Sequence, residues 1–218
     1  MLKVLLEHEC FLVIQKPAGV GMHQEGETPG IVTLAKQALG LPELYPVHRL
    51  DKVTSGALLL ARDPAANSEL SAAFRQRQVE NYYLALADRR PSKKQGLIAG
   101  DMVRSRRSTW KLVKSLNNPA VTQFFSGSYQ GALRWFLLKP ATGKTHQIRV
   151  AMKSLGSPIL GDLLYGPATV DEALADRTYL HAWALRFSFR GEMFGVMAPP
   201  ECGGQFQNPA LLARLENL

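Results

Sequence analysis

Apolar positions along this chain fall mostly into strand-length runs and alternations. "FLVIQKPAG" reads as a buried strand from Phe11 to Ile14, stopped by Pro17 and Gly19. "HQEGETPG" is a loop, and "IVTLAKQALG" a short helix closed by Gly40. "ALLLA" is a continuous apolar run, the pattern of a central strand buried on both faces, and the Asp63-Pro64 pair breaks the chain after it. In "ANSELSAAFRQRQV", Leu70, Ala73, Phe74 and Arg77 recur at helical spacing, with Asn67 as the candidate cap. "NYYLALA" alternates as a strand does, and "STWKLVKSL" predicts another strand. "TQFFSGSYQGALRWFLLKP" predicts a hairpin turning between Gly127 and Gly131. "GKTHQIRVAMKSLG" predicts a helix ended by Gly156, and "RTYLHAWALRFSF" with "EMFGVMAPP" a last strand pair. Strands outnumber helices and sequential neighbours can pair, so the expected class is α+β around a mixed, mostly antiparallel sheet. With no repeat, linker or low-complexity tract, residues 1–218 read as a single domain and a monomer.

Composition narrows this picture. The chain has 218 residues, 46% hydrophobic and 20% charged, enough for a large core. No apolar run approaches the roughly 20 residues of a membrane-spanning helix. Glu7, His8 and Glu9 interrupt the N-terminal segment, so it does not read as a signal peptide. Cys10 and Cys202 are far apart and lack metal-site spacing, which points to a reducing compartment, hence the cytoplasm, and to small partly buried side chains.

Charge adds a partner. Between Arg89 and Lys114 lie nine basic residues (Arg89, Arg90, Lys93, Lys94, Arg104, Arg106, Arg107, Lys111, Lys114) and one acid, Asp101. Nine minus one equals the +8 net charge of the whole chain. Such a stripe is the footprint expected for a polyanion, although a solvated solubility loop has the same composition.

Several familiar chemistries are excluded by spacing. "ATGKT" (141–145) resembles the end of a phosphate-binding loop, but Leu138 stands where its first glycine belongs and Pro140 interrupts the wrap. Ser55-Gly56 lacks the first glycine of a nucleophile elbow, since Val53 stands there. The five histidines form no paired metal-ligand motif. What remains is "VHRLDKVTSG" (47–56), which sets Asp51 beside His48 and Arg49 just before "ALLLA". A carboxylate can act as nucleophile or general base when a cation orients it and water is kept away. An isolated loop aspartate is more often a turn residue, and by itself Asp51 would be read so.

The company Asp51 keeps changes that balance. "HRLDKVTSGALLLA" resembles the signature of the RluA-like pseudouridine synthase family, HRLD followed by two variable residues and TSG. "FLVIQKPAGVGMH" resembles that family's first strand and K-P-x-G loop, and "NYYLALA" its tyrosine-bearing strand. "TGKTHQIRVAMKSLGSPILGDLLYG" resembles its long C-terminal motif and "RTYLHAWALRF" its closing strand, so the likeness covers most of residues 11–189 in order. The resemblance implies a pseudouridine synthase fold and the isomerisation of uridine in tRNA or rRNA, with no cofactor and no metal. Uracil is detached at nitrogen 1, turned, and rejoined through carbon 5. Asp51 falls on the catalytic aspartate, which attacks the ribose or removes its 2′ proton. Arg149 falls on the basic residue that pairs with that aspartate, and Tyr83 on the tyrosine that stacks on the base. Arg49 falls on the arginine that fills the space left by the extruded nucleotide. With it, His48, Arg104, Arg106, Arg107, Lys144 and His146 form the expected RNA-binding set.

Three positions depart from the family pattern. Asn81 replaces a lysine before the tyrosine, Ala151 a histidine after QIRV, and Leu163 the proline of the GDPLYG-like motif. None removes the aspartate, tyrosine or arginine. The chain starts almost at the first catalytic strand, so the expected form is the one without an additional N-terminal RNA-binding domain. The competing expectation is a module of the same fold that binds RNA without turnover.

Overall fold

The computed structural model describes residues 2–106, 109–167 and 174–216. The chain divides into two compact units. The first comprises Met1–Asn81 with Ala182–Pro199, the second Tyr82–His181 with Pro200–Leu218.

In the first unit, β1 (Lys3–Glu7), β2 (Phe11–Lys16) and β4 (Ser55–Ala61) lie side by side. β10 (Leu180–Phe189) lies on the far side of β4 and pairs with β11 (Glu192–Met197), while β3 (Tyr45–Pro46) pairs β4. β1–β2, β2–β4, β3–β4 and β10–β11 are all antiparallel. Every residue of β4 is buried, as its uninterrupted apolar run requires. Gly56, the second residue of that strand, has φ +112, and a Cβ there would stand 2.2 Å from the carbonyl oxygen of Ala182 on β10. The glycine of the TSG motif is therefore what lets β10 lie against the start of β4.

Two helices complete the unit, α1 (Ile31–Leu39) and α2 (Pro64–Arg75). Gly40 closes α1 in the left-handed conformation, as expected. The start of α2 differs from the sequence reading. Asp63, not Asn67, is the cap: its carboxylate accepts from the Ala66 N–H at 2.8 Å, and Pro64 occupies the first turn. The Asp-Pro pair that reads as a breaker is thus a helix start, because proline at N1 lacks only a hydrogen that had no partner there. α2 buries Ala66 and Leu70 against Phe11, Val13, Leu59 and Phe187.

The second unit is built on the strand order β5–β9–β8–β6–β7. These are β5 (Glu80–Ala87), β6 (Gln95–Arg104), β7 (Trp110–Val113), β8 (Pro119–Gln130) and β9 (Leu133–Pro140). All four pairings in that order are antiparallel. α3 (Gln147–Ser154) packs against β7, β8 and β9, and α4 (Pro209–Leu215) against β8. The α+β class and the antiparallel pairing of neighbours are as expected. β1, β3, β6 and α4 are additions. β6 runs through the basic segment, so half of the expected loop is a paired strand. Among the described residues no helix is long and apolar enough to cross a membrane.

Candidate active site

The loop bearing Asp51 is pinned from below. Lys16, at the end of β2, is fully buried, and its ammonium donates to the carbonyls of Pro17 (2.8 Å), Val20 (2.7 Å) and Lys52 (3.4 Å). The Gly19 N–H donates to the same Lys52 carbonyl at 2.8 Å. The K-P-x-G loop thereby grips the residue next to Asp51. A buried lysine is tolerated where its three donors all find acceptors, and here they find backbone. Asp51 itself is half-buried, and its own carbonyl accepts from the Thr54 N–H at 3.0 Å, closing a turn into β4. Arg49 is exposed.

His48 differs from its expected role as an RNA-facing cation. Its Nε2 accepts from the Leu59 N–H at 3.0 Å, and its ring stacks on Phe74 with centroids 4.5 Å apart. Burial lowers its pKa to about 4, so the imidazole is neutral near pH 7. His48 fastens the HRLD loop to β4 and α2. Because the folded pKa lies below the usual 6.5, His48 stabilises the fold fully above pH 6.5. That stability drains away as pH falls toward 4, by about 2 kcal/mol. Urea melts at pH 7.5 and 4.5 should show this loss in the wild type. His48→Gln, whose amide oxygen can still accept from Leu59, should lose less between the same two pH values. Equal losses would remove His48 from the acid response.

In the second unit, Tyr83 lies on β5 opposite Leu138 and is buried. Arg149 sits in the first turn of α3 at 6% exposure, not on the helix surface. A cation at a helix N-terminus opposes the macrodipole, so a partner must hold it there. That partner is Asp162: Nε and Nη2 of Arg149 donate to Oδ2 and Oδ1, both at 2.8 Å. Asp162 is in turn fixed by the N–H groups of Leu164 (3.0 Å) and Tyr165 (3.1 Å). Two parallel bonds from a planar guanidinium fix its direction as well as its place.

The TGKTHQIR segment begins as a turn, not as helix. Gln147 organises it. Its Oε1 accepts from the Thr142 hydroxyl (2.7 Å) and the Lys144 N–H (3.0 Å), while Nε2 donates to the Val121 carbonyl and the Thr122 hydroxyl, both at 3.0 Å. Lys144 donates to the Asn118 carbonyl. His146 caps α3 in a left-handed conformation, φ 58, with Nδ1 2.9 Å from the hydroxyl of Tyr165. Arg104 and Arg106 are exposed at the end of the β6–β7 hairpin, and the Arg104 guanidinium lies 5.4 Å from the Trp110 ring centroid. Arg107 lies outside the described residues.

Of the expected residues, His48, Arg49 and Asp51 share one loop of the first unit, while Lys144, His146 and Arg149 share one segment of the second. Lys16, Gln147, Asp162 and Tyr165 were missed as site-builders. Lys16 carried a usable signal, a lysine directly after an apolar strand. Asp162 and Tyr165 stood four residues before and one residue before a glycine in "GDLLYG", with nothing to say that one holds Arg149.

A gripped loop that bears a carboxylate and a buried arginine fixed by two parallel bonds are the features that stand out, and comparison with known proteins defines the class of the chain. The RNA pseudouridylate synthase family model matches residues 10–154. The chain belongs to that family: it is an isomerase that converts uridine in RNA to pseudouridine. It is 45% identical over 215 residues to an "uncharacterized RNA pseudouridine synthase" of Haemophilus influenzae, covering 99% of this chain and 95% of the relative. It is 32% identical over 188 residues to the dual-specificity RNA pseudouridine synthase RluA of Escherichia coli (strain K12), covering 83% of this chain and 84% of the relative. The solved structure of human RNA pseudouridylate synthase domain containing 1 superposes with a TM-score of 0.77 at 29% identity, covering 100% of this chain and 95% of that one.

Proposed function

We propose that Asp51 is the catalytic carboxylate of this isomerase, that Arg149 is its basic partner, and that Tyr83 presents an aromatic face to the target uracil. The observation that carries the reading is the grip on the Asp51 loop: a buried ammonium and the Gly19 amide converge on the carbonyl of Lys52, the next residue. A nucleophile or base gains from being held in place before the substrate arrives. Uridine in a stacked or paired RNA hides its glycosidic bond, so the nucleotide must be turned out of its stack. An aromatic ring suits the extruded base and Arg49 the vacated space.

The substrate is a uridine in tRNA or rRNA, and a relative named ribosomal large subunit pseudouridine synthase D, from Nitrosomonas europaea, supports the ribosomal half of that reading. The family match crosses from the first unit into the second at residue 81, which supports a single catalytic domain over 1–218. Two free cysteines fit a reducing compartment such as the cytoplasm. Mapping pseudouridines in RNA from a deletion strain and its parent, then restoring them with purified protein, tests the substrate reading. Identical maps would overturn it.

Arg104, Arg106 and Arg107, with Lys144 and His146, supply backbone contacts. Each phosphate contact contributes roughly −0.7 to the slope of log affinity against log salt for single strands. Replacing the three arginines by Ala should weaken binding and flatten that slope by about 2. Unchanged affinity and slope in a filter-binding titration would reduce the segment to a solubility feature.

A further inference from the structure

β7 is the last strand in the second unit's order, so among the described residues one edge of its backbone has no ladder partner. The Trp110 N–H on β7 donates instead to the Tyr165 hydroxyl, at 3.2 Å. Tyr165 is 1% exposed, and a buried hydroxyl must be satisfied or it costs stability. Its oxygen also lies 2.9 Å from His146 Nδ1. The hydroxyl thus accepts from the hairpin backbone while sharing a hydrogen bond with the imidazole. The ring of Tyr165 faces the Arg149 guanidinium at 5.0 Å. Its backbone N–H donates to Asp162 Oδ1, the same oxygen that receives Arg149 Nη2. One residue therefore touches the hairpin backbone, the cap of α3, the carboxylate that holds Arg149, and Arg149 itself. At the other end, Trp110 stands in register with Arg104 and carries its guanidinium.

We propose that Tyr165 is a positioning residue that couples RNA contact on the β6–β7 hairpin to the setting of Arg149. The proposal rests on the reading of Arg149 as a participant in catalysis. A phenylalanine would pack the same space and keep the cation on its face, so the hydroxyl is the part that packing does not explain. It spans from β7, whose Trp110 carries the Arg104 guanidinium of β6, to the left-handed cap that starts α3. An RNA phosphate on Arg104 fixes Trp110, Trp110 fixes the hydroxyl, and the ring and amide of Tyr165 then hold the guanidinium and its carboxylate in one arrangement.

The test uses full-length protein and bulk RNA from a deletion strain, read as single-turnover pseudouridine formation at saturating RNA and as filter-binding affinity. Tyr165→Phe should slow turnover about tenfold, the size of one lost positioning bond, while affinity changes by less than about twofold. Arg104→Ala should slow turnover in the wild-type background but add nothing in Tyr165→Phe, because the link is already cut. Wild-type turnover in Tyr165→Phe, or losses that multiply in the double variant, would overturn the coupling. If Arg149→Met is slow and Tyr165→Phe is not, the coupling alone fails. If Arg149→Met turns over like wild type, the catalytic reading of Arg149 fails and takes the coupling with it. Hydrogen exchange on the wild-type protein gives a second check that needs no variant. RNA should slow exchange at Trp110 and at the first amides of α3 together, and slowing confined to β6 and β7 would overturn the proposal.

Discussion

Asp51→Asn is expected to fold, to bind RNA with nearly wild-type affinity, and to form no pseudouridine above background. The substitution keeps the size of the side chain and most of its hydrogen-bonding capacity. The turn into β4 is closed by the Asp51 carbonyl, a backbone group that the change leaves alone. The grip of Lys16 and Gly19 falls on the Lys52 carbonyl and is equally untouched. What disappears is the negative charge, and with it nearly all nucleophilicity and basicity. RNA affinity comes mainly from phosphate contacts spread over other residues. The rate should therefore fall by roughly ten-thousand-fold or more, the scale seen when a nucleophile or base is deleted. Arg149→Met should act in the same direction but less completely, since it mispositions charge without deleting the reacting group. Folded Asp51→Asn protein that still turns over RNA would sink the mechanism. A variant that fails to fold would make Asp51 the turn residue that an isolated reading of the loop suggests.

Asp162→Ala should be among the most damaging substitutions to stability in the second unit. Arg149 is buried, and two of its nitrogens donate to Asp162. Removing the carboxylate strips a buried cation of that partner and leaves the Leu164 and Tyr165 amides without their acceptor. Losing one side of a buried ion pair costs about 3–5 kcal/mol, because the desolvated charge stays behind. Asp162→Asn keeps an acceptor but not the charge, and should cost about half as much. Urea denaturation should show a lower midpoint at unchanged slope for both variants. A loss below about 1 kcal/mol for the alanine variant would mean that Arg149 does not depend on this partner. The surviving folded Asp162→Asn protein should also turn over more slowly, since the guanidinium is no longer fixed by a bidentate pair.

Much of this was legible in the residues, for reasons that can be named. β4 announced itself because a strand buried on both faces leaves no polar position to confuse the pattern. The α1 stop at Gly40 and the turn between β10 and β11 were legible because glycine marks each of them. β6 was missed because Gly96, Gly100 and Asp101 dilute its alternation and charged residues surround it. The structure supplies the reason for Gly100: a Cβ there would lie 2.5 Å from the Val113 carbonyl on the neighbouring strand. The cap of α2 was misplaced because Asp63-Pro64 carries two meanings, break and start, which only the following turn decides. Arg149 by itself looks like a helix-surface charge, since no local pattern announces that Asp162 will neutralise it. The family motifs pointed to Arg149 and Asp51 as participants. They were silent on how each is held, because the holding groups are backbone carbonyls, amides and a carboxylate from another segment.

The first unit is written in two pieces, and that has a consequence for how the polypeptide is made. β4 can pair with β2 and, at its C-terminal end, with β3 as soon as residues 1–61 have left the ribosome, but its remaining neighbour, β10, begins at Leu180. Until then the first half of "SGALLLA" is uncharged strand with an open edge, the kind of segment that associates with whatever is nearby. Such distant pairing makes assembly slow, and the order of synthesis makes it obligatorily late. A nascent chain arrested before Leu180 should therefore be a strong chaperone client. One arrested beyond Pro199, with β10 and β11 emerged, should be released.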